Sequence, residues 1–268
     1  MTEFTETNVE VEVEVEVAAI EPVKPAPPTL EDFKNIHQGQ DIYVMGSGKS
    51  CDFLDPSFFE NKICIGINQA YKKYNCQYLV KKDFVGNDGA FDYARDNDAT
   101  IFYSQKAMGT LHNTEPAKHM KKGEDASKIK TIMFKHPGML YHDGGYDTIK
   151  KIYAADDNKL MISFSTITSG IHLAFYMGAK NIILVGHDCC FINKQTNYDG
   201  YHTEQTMNPA WGGMSKEAVQ SYANWVSPCA DISNRIKRLL KEEYNVNLCS
   251  INPFPSLREA INKSSLKL

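Results

Sequence analysis

No Cys-x-x-Cys pair occurs among the seven cysteines at 51, 64, 76, 189, 190, 229 and 249. That absence argues against a zinc ribbon and against a thioredoxin-type redox motif. The odd number of thiols, three of them inside apolar runs, reads as reduced cysteine in a cytoplasmic protein. No apolar run approaches the ~18–20 residues of a membrane span, so no transmembrane segment is expected. The N-terminus lacks the basic and apolar stretches of a secretory signal. Lys plus Arg is 29 against 33 for Asp plus Glu, a net charge of -4. The balance is uneven along the chain. Residues 1–33 hold nine acids and the single base Lys24, a charge of -8. The remainder, 34–268, keeps 28 bases and 24 acids, or +4. Such a mildly basic body suits a phosphorylated small molecule and falls far below the charge density of a nucleic-acid binder.

What is present starts with Val9–Val17, where Val and Glu alternate strictly. Period two fits a strand that adds to another chain, which leaves a homo-oligomer open. Pro22, Pro25, Pro27 and Pro28 follow at once, and the favoured reading of 1–33 is a disordered acidic, Pro-rich tail. Residues 34–268 read as one domain with a βα rhythm. Strands are expected at Asp41–Gly46, Lys62–Asn68, Gln77–Lys81, Thr100–Ser104, Ile182–Gly186 and Val246–Ile251, with weaker ones at Thr131–Phe134 and Leu160–Ser163. Helices are expected at Phe53–Glu60, Gly89–Asp96, Thr168–Gly178 and Ser215 to about Tyr244. Short continuous apolar strands alternating with helices give an α/β, Rossmann-like fold, a mostly parallel sheet with helices on both faces. The stretch 112–157, of mixed charge and little periodicity, reads as an insertion or lid. Its cluster Lys118, His119, Lys121 and Lys122 is either a counter-charge for a leaving phosphate or a solvated loop.

Gly46-Ser47-Gly48-Lys49-Ser50 follows the first strand. Ligands of open α/β sheets bind beyond the carboxyl ends of the strands, where glycines let backbone N–H groups approach a phosphate. A P-loop would need glycine at position 43, which is Tyr43, and a dinucleotide fingerprint would need it at Cys51. The turn is therefore either a phosphate cradle of another kind or a tight strand-to-turn junction. Asn68 ends the second strand, where its carboxamide can read a base or sugar, or simply close an Asx turn. Ser165 to Gly170 opens an apolar helix, as an anion site or as an ordinary N-cap. Gly186-His187-Asp188 ends a later strand. Asp188 there holds a ribose, a metal or a reacting hydroxyl, or caps the next turn. His187 is a general base or a hydrogen-bonded structural residue. In the polar loop Tyr198–His202, His202 is a second candidate base because imidazole titrates near neutrality. The pair Cys189-Cys190 reads as small buried hydrophobes.

The strings Tyr43–Ser50 and Ile65-Gly66-Ile67-Asn68-Gln69 resemble the opening βαβ of a superfamily that groups motility-accessory-factor glycosyltransferases, bacterial sialyltransferases of the Campylobacter type and 6-hydroxymethylpterin diphosphokinases. Thr168-Ser169-Gly170, a helix, then Ile182–Asp188 is similar to its second signature, and Ile232–Leu257 to the sialyltransferase ending. The resemblance covers roughly 41–257. It implies a nucleotide-binding fold. Gly46, Gly48, Ser50, Asn68, Thr168, Ser169 and Gly170 would hold the CMP part of a donor, with Ser47 and Gly186 completing the turns. The chain departs from the pattern at Lys49, where the family has Pro, at Cys190, near a phosphate-binding tyrosine, and at Val226-Ser227-Pro228, where the family carries a catalytic His. The leading expectation is a glycosyltransferase using a nucleotide-activated, CMP-linked sugar and a glycan or small-molecule acceptor. His202 or His187 would be its base, Asp188 would orient substrate, and no metal or other cofactor is required. The alternatives are an ATP-dependent pterin-type diphosphokinase, with Mg²⁺ on Asp188 plus Asp83 or Asp199, and a non-catalytic nucleotide- or sugar-binding module.

Overall fold

The computed structural model describes residues 28–82, 89–104, 128–136, 139–140, 145–155, 157–163, 165–189, 192, 195–201 and 216–252, with side chains of the last stretch from Pro228 onward. Strands β1 (Asp41–Met45), β2 (Ile63–Ile67), β3 (Tyr78–Lys81), β4 (Thr100–Ser104), β5 (Lys130–Phe134), β8 (Asn181–Val185) and β9 (Asn247–Ile251) form one sheet in the order β5-β4-β3-β2-β1-β8-β9. Every pairing in it is parallel. Two short strands, β6 (Met139–Leu140) and β7 (Ile162–Ser163), pair only with each other. Among the described residues the α-helices are α1 (Ala90–Asp96), α2 (Tyr146–Ala154), α3 (Ile167–Tyr176) and α4 (Lys216–Tyr244). The expected α/β, Rossmann-like architecture is what the chain adopts. Among the described residues no helix is long and apolar enough to cross a membrane.

The central strands are apolar at every position because both faces are covered. Ile42, Val44, Ile65, Ile182 and Leu184 point into one core with Ile149 and Tyr153 of α2, Ile171 and Leu173 of α3, and Ile236 and Leu240 of α4. The alternate residues Tyr43, Met45, Cys64, Leu79, Ile183 and Val185 point into the other, against Ala90 and Phe91 of α1 and Phe59. That second face differs from expectation. In place of a helix over Phe53–Glu60 it carries two 3-10 turns, Lys49–Phe53 and Pro56–Phe59. Pro56, with no N–H to give and a fixed φ, starts the second turn, and Asp55 caps it by accepting from Ser57 N at 2.9 Å.

Two boundaries also move. Leu30–Phe33, assigned to the tail by composition, is a 3-10 turn whose Leu30 is buried in the first core. Phe33 meets Phe102 edge-on at 4.9 Å. The tail's residues 1–27 lie outside the described residues. The stretch read as an insertion contributes β5 to the sheet edge and α2 to a helical layer. There Tyr146 donates to Glu242 at 3.0 Å and Lys150 to Glu243 at 2.6 Å on α4. α2 is amphipathic, with Ile149 and Tyr153 buried, but its nine residues are too short a run to stand out from the mixed-charge stretch around them.

Candidate functional site

The chain moves outward from β1 through β2 to β5, then returns to place β8 on the other side of β1. At such a reversal the connections at the carboxyl ends leave in opposite directions and open a crevice. Gly46, Asn68 and Gly186 each follow a strand at this edge, so the topology gathers the three expected turns.

The first turn is closed on the protein itself. Gly46 N donates to Val185 O at 2.7 Å and Gly48 N to Gly186 O at 2.8 Å. A Cβ on Gly48 would stand 2.5 Å from Gly186 O and from Asp188 Oδ2. Gly186 has φ +64°, and its Cβ would stand 2.3 Å from Cys51 Sγ. These glycines permit two backbone turns to touch, a role that leaves the N–H groups of Gly46 and Gly48 occupied. Ser50 donates to Asp188 through its N, at 2.7 Å to Oδ2, and through its hydroxyl to Oδ1. Asn252 Nδ2 donates to the same Oδ1 at 3.3 Å. Asp188 is 6% exposed. Burial raises its pKa and the bonds from Ser50 draw it part of the way back. It therefore caps the turn at Ser50.

Lys49 is buried and sits between Asp52 at 2.8 Å and Asp199 at 2.7 Å. Burial lowers its pKa, the bonds to Asp199 and Asp52 raise it, and the net shift is upward. Its charge is used to fasten the 195–201 loop over the turn. Asn197 Nδ2 donates to Ser47 Oγ at 2.7 Å, and Tyr198 N donates to Ser47 O at 3.0 Å.

His187 is buried beside α4, its Nε2 2.9 Å from Ser233 Oγ. Ser233 gives its proton to Cys229 O at 2.9 Å, so His187 Nε2 is the donor in this pair and Nδ1 carries no proton. Burial holds the ring neutral, with its pKa lowered to about 4. A base that weak and that enclosed joins the strand end to the helix. The second signature is likewise internal. Ser169 Oγ donates to Met161 O at 2.7 Å, Thr168 Oγ1 to Ser165 O at 2.9 Å, and Gly170 lets α3 pack on Val44 and Ile67. All three residues are fully buried.

Asn68 and its neighbour differ from these. Asn68 is half-buried in the left-handed region (φ 53°), a conformation asparagine tolerates, with its N–H on Val80 O at 3.0 Å. Gln69 is buried, yet its Oε1 has no hydrogen-bond partner. No sequence motif gives Gln69 a role. The available signal was a second carboxamide at a strand end.

His202, Asp83, Cys190 and the Lys118–Lys122 cluster lie outside the described residues. Of the carboxylates considered for Mg²⁺, Asp188 accepts from Ser50 and Asn252, and Asp199 accepts from Lys49 and, at 3.2 Å, from Gln195 Nε2. Among the described residues no group of three His, Cys, Asp or Glu side chains is placed to hold a metal ion. Compared with known proteins, the chain matches no family model, no curated protein and no solved structure.

Proposed function

We propose that the protein is a transferase taking a nucleotide-activated sugar, with CMP the first nucleotide to test, and delivering the sugar to a hydroxyl of a glycan or small molecule. The reversal of strand order between β1 and β8 carries this reading, since it puts Asn68 and Gln69 beside the crevice where nucleotides bind in sheets of this topology. A buried carbonyl without a donor costs about 1–3 kcal/mol. A base amino group or a ribose hydroxyl offered to Gln69 Oε1 relieves that cost and reads the ligand at the same time. In this reading the closed glycine turn is a rigid floor, and His202 is the base. His187 and Asp188 hold the floor in place.

The test is binding of CMP, a CMP-sugar, and ATP with and without Mg²⁺, followed by thermal shift and turnover. CMP should raise the melting temperature without Mg²⁺, and Gln69→Leu should abolish that rise. His202→Ala should lower sugar transfer by at least about 10²-fold, the usual contribution of a general base. A shift with ATP that requires Mg²⁺, and none with CMP, would sink the proposal. The commitment of both His187 and Asp188 to protein partners favours a second reading, a nucleotide- or sugar-binding module without chemistry. CMP binding with no turnover of any sugar nucleotide would select it.

A further inference from the structure

The other end of the sheet holds a pocket of about 340 Å³, below the residues that lead into β1, β8 and β9. Its volume is at the small end of the range for ligand sites, about 300–1,000 Å³. Tyr153, Phe175 and Tyr244 form an aromatic wall, with Tyr153 and Phe175 centroids 5.3 Å apart and Phe175 and Tyr244 4.8 Å apart.

Two polar groups in that wall are left over. The Tyr153 hydroxyl is buried, in a residue only 5% exposed, and has no hydrogen-bond partner. A buried hydroxyl without a partner is costly and calls for an explanation. His172 stacks on Tyr153 with ring centroids 4.2 Å apart. Its Nδ1 accepts from Met161 N at 2.8 Å. A backbone N–H can only donate, so Nδ1 is unprotonated and the proton of the neutral ring is on Nε2. Among the described residues nothing accepts from that Nε2–H.

Two lysines, Lys34 and Lys159, line the pocket, and both are engaged within the protein. Lys159 is paired with Asp157. Three helices, α2, α3 and α4, end at the pocket, and helix C-termini repel anions. The last carbonyls of α3 are occupied, since Asn35 N donates to Tyr176 O at 3.0 Å and His37 N to Met177 O at 2.9 Å, so they do not call for a cation.

We infer that this pocket binds a small, planar, uncharged heteroaromatic molecule, stacked in the aromatic wall, whose carbonyl or ring nitrogen accepts from the Tyr153 hydroxyl and the His172 Nε2–H. The inference is independent of the nucleotide site, which lies at the opposite end of the strands.

Nicotinamide is a suitable probe, with benzoate and benzylamine as anionic and cationic counterparts of similar size. Each is titrated into the full chain and followed by amide NMR shifts. Nicotinamide should give saturable shifts clustered at Tyr153, Met161, His172 and Phe175, and each charged analogue should bind at least about tenfold more weakly. Tyr153→Phe removes the unpartnered hydroxyl. It should leave the melting temperature of the unliganded protein unchanged or higher while weakening nicotinamide about tenfold, about 1.4 kcal/mol. Ala155→Phe, at an exposed position on the pocket rim, should block the probe without affecting folding. Scattered or unsaturable shifts, equal binding of benzoate, or a Tyr153→Phe protein that melts lower and binds nicotinamide as before would each overturn the inference.

Discussion

The two ends of the parallel sheet treat their polar groups in opposite ways. At the carboxyl end the glycine turn, Ser50, Lys49, Asp188 and His187 are bonded to one another or to neighbouring loops and helices, and Gln69 Oε1 stands out as an unpartnered acceptor. At the amino end an aromatic pocket keeps an unpartnered hydroxyl and a spare imidazole N–H. Motif-bearing residues thus build the scaffold of one end, while residues with no motif line the pocket of the other. Glycines at a strand end are evidence of close approach, and what approaches can be the chain itself.

The largest effect that sharpens this contrast is expected from Gly186→Ala. The substitution combines a left-handed backbone with a Cβ 2.3 Å from Cys51 Sγ and should cost about 4 kcal/mol in urea unfolding. Gly39→Ala, near the pocket end, has a similar φ of +77° but nothing within 4 Å, and should cost about 1 kcal/mol from the backbone alone. Equal costs would show that the turns at the carboxyl end are not tightly closed.

Acid titration compares the ends directly. Burial depresses His187 to about 4 and His172 to about 3 from an ordinary 6.5. Below pH 6.5 the unfolded chain takes up protons that the folded chain refuses. Stability from each histidine is therefore complete above pH 6.5 and is lost as pH falls toward those lower values. Each should account for about 1.4 kcal/mol per pH unit in that window. His187→Asn and His172→Asn should each flatten the stability profile by that slope, and a profile unchanged in either variant would mean that its ring is hydrated.

Asp188→Ala should cost about 2 kcal/mol, because it strands the buried N–H of Ser50. The pH dependence here has the opposite sign. A carboxyl whose folded pKa is raised contributes its stability below the ordinary value of 3.8 and loses it as pH rises through the raised one. The smallest effect is expected of Asp199→Ala, about 0.5 kcal/mol, since the Asp199 side chain is 72% exposed and an exposed ion pair contributes little.

The strands were legible in the sequence because a parallel sheet covered on both faces needs unbroken apolar runs, and seven of the eight expected strands lie in the main sheet within a residue or so at each end. The exception, Leu160–Ser163, is apolar and short like the rest, but it pairs with Met139–Leu140, a partner that no local pattern reveals. Composition hid Leu30 and Phe33, two apolar residues set among acids and prolines. At the candidate site, residue positions were legible and commitments were not. The sequence allows Asp188 a substrate role or a capping role, and only its distance to Ser50 N reveals the capping contact. The Tyr153–His172 pair lies 19 residues apart on two helices, with no motif to join them.

Hydrogen exchange of the full chain with and without CMP tests the central claim most directly, that nucleotide binds at the β1–β8 crevice beside Asn68 and Gln69. The account predicts slower exchange in peptides covering 46–50 and 68–70, and none at Tyr153 or His172. Protection confined to the aromatic pocket, or absent from the whole chain at saturating CMP, would contradict it.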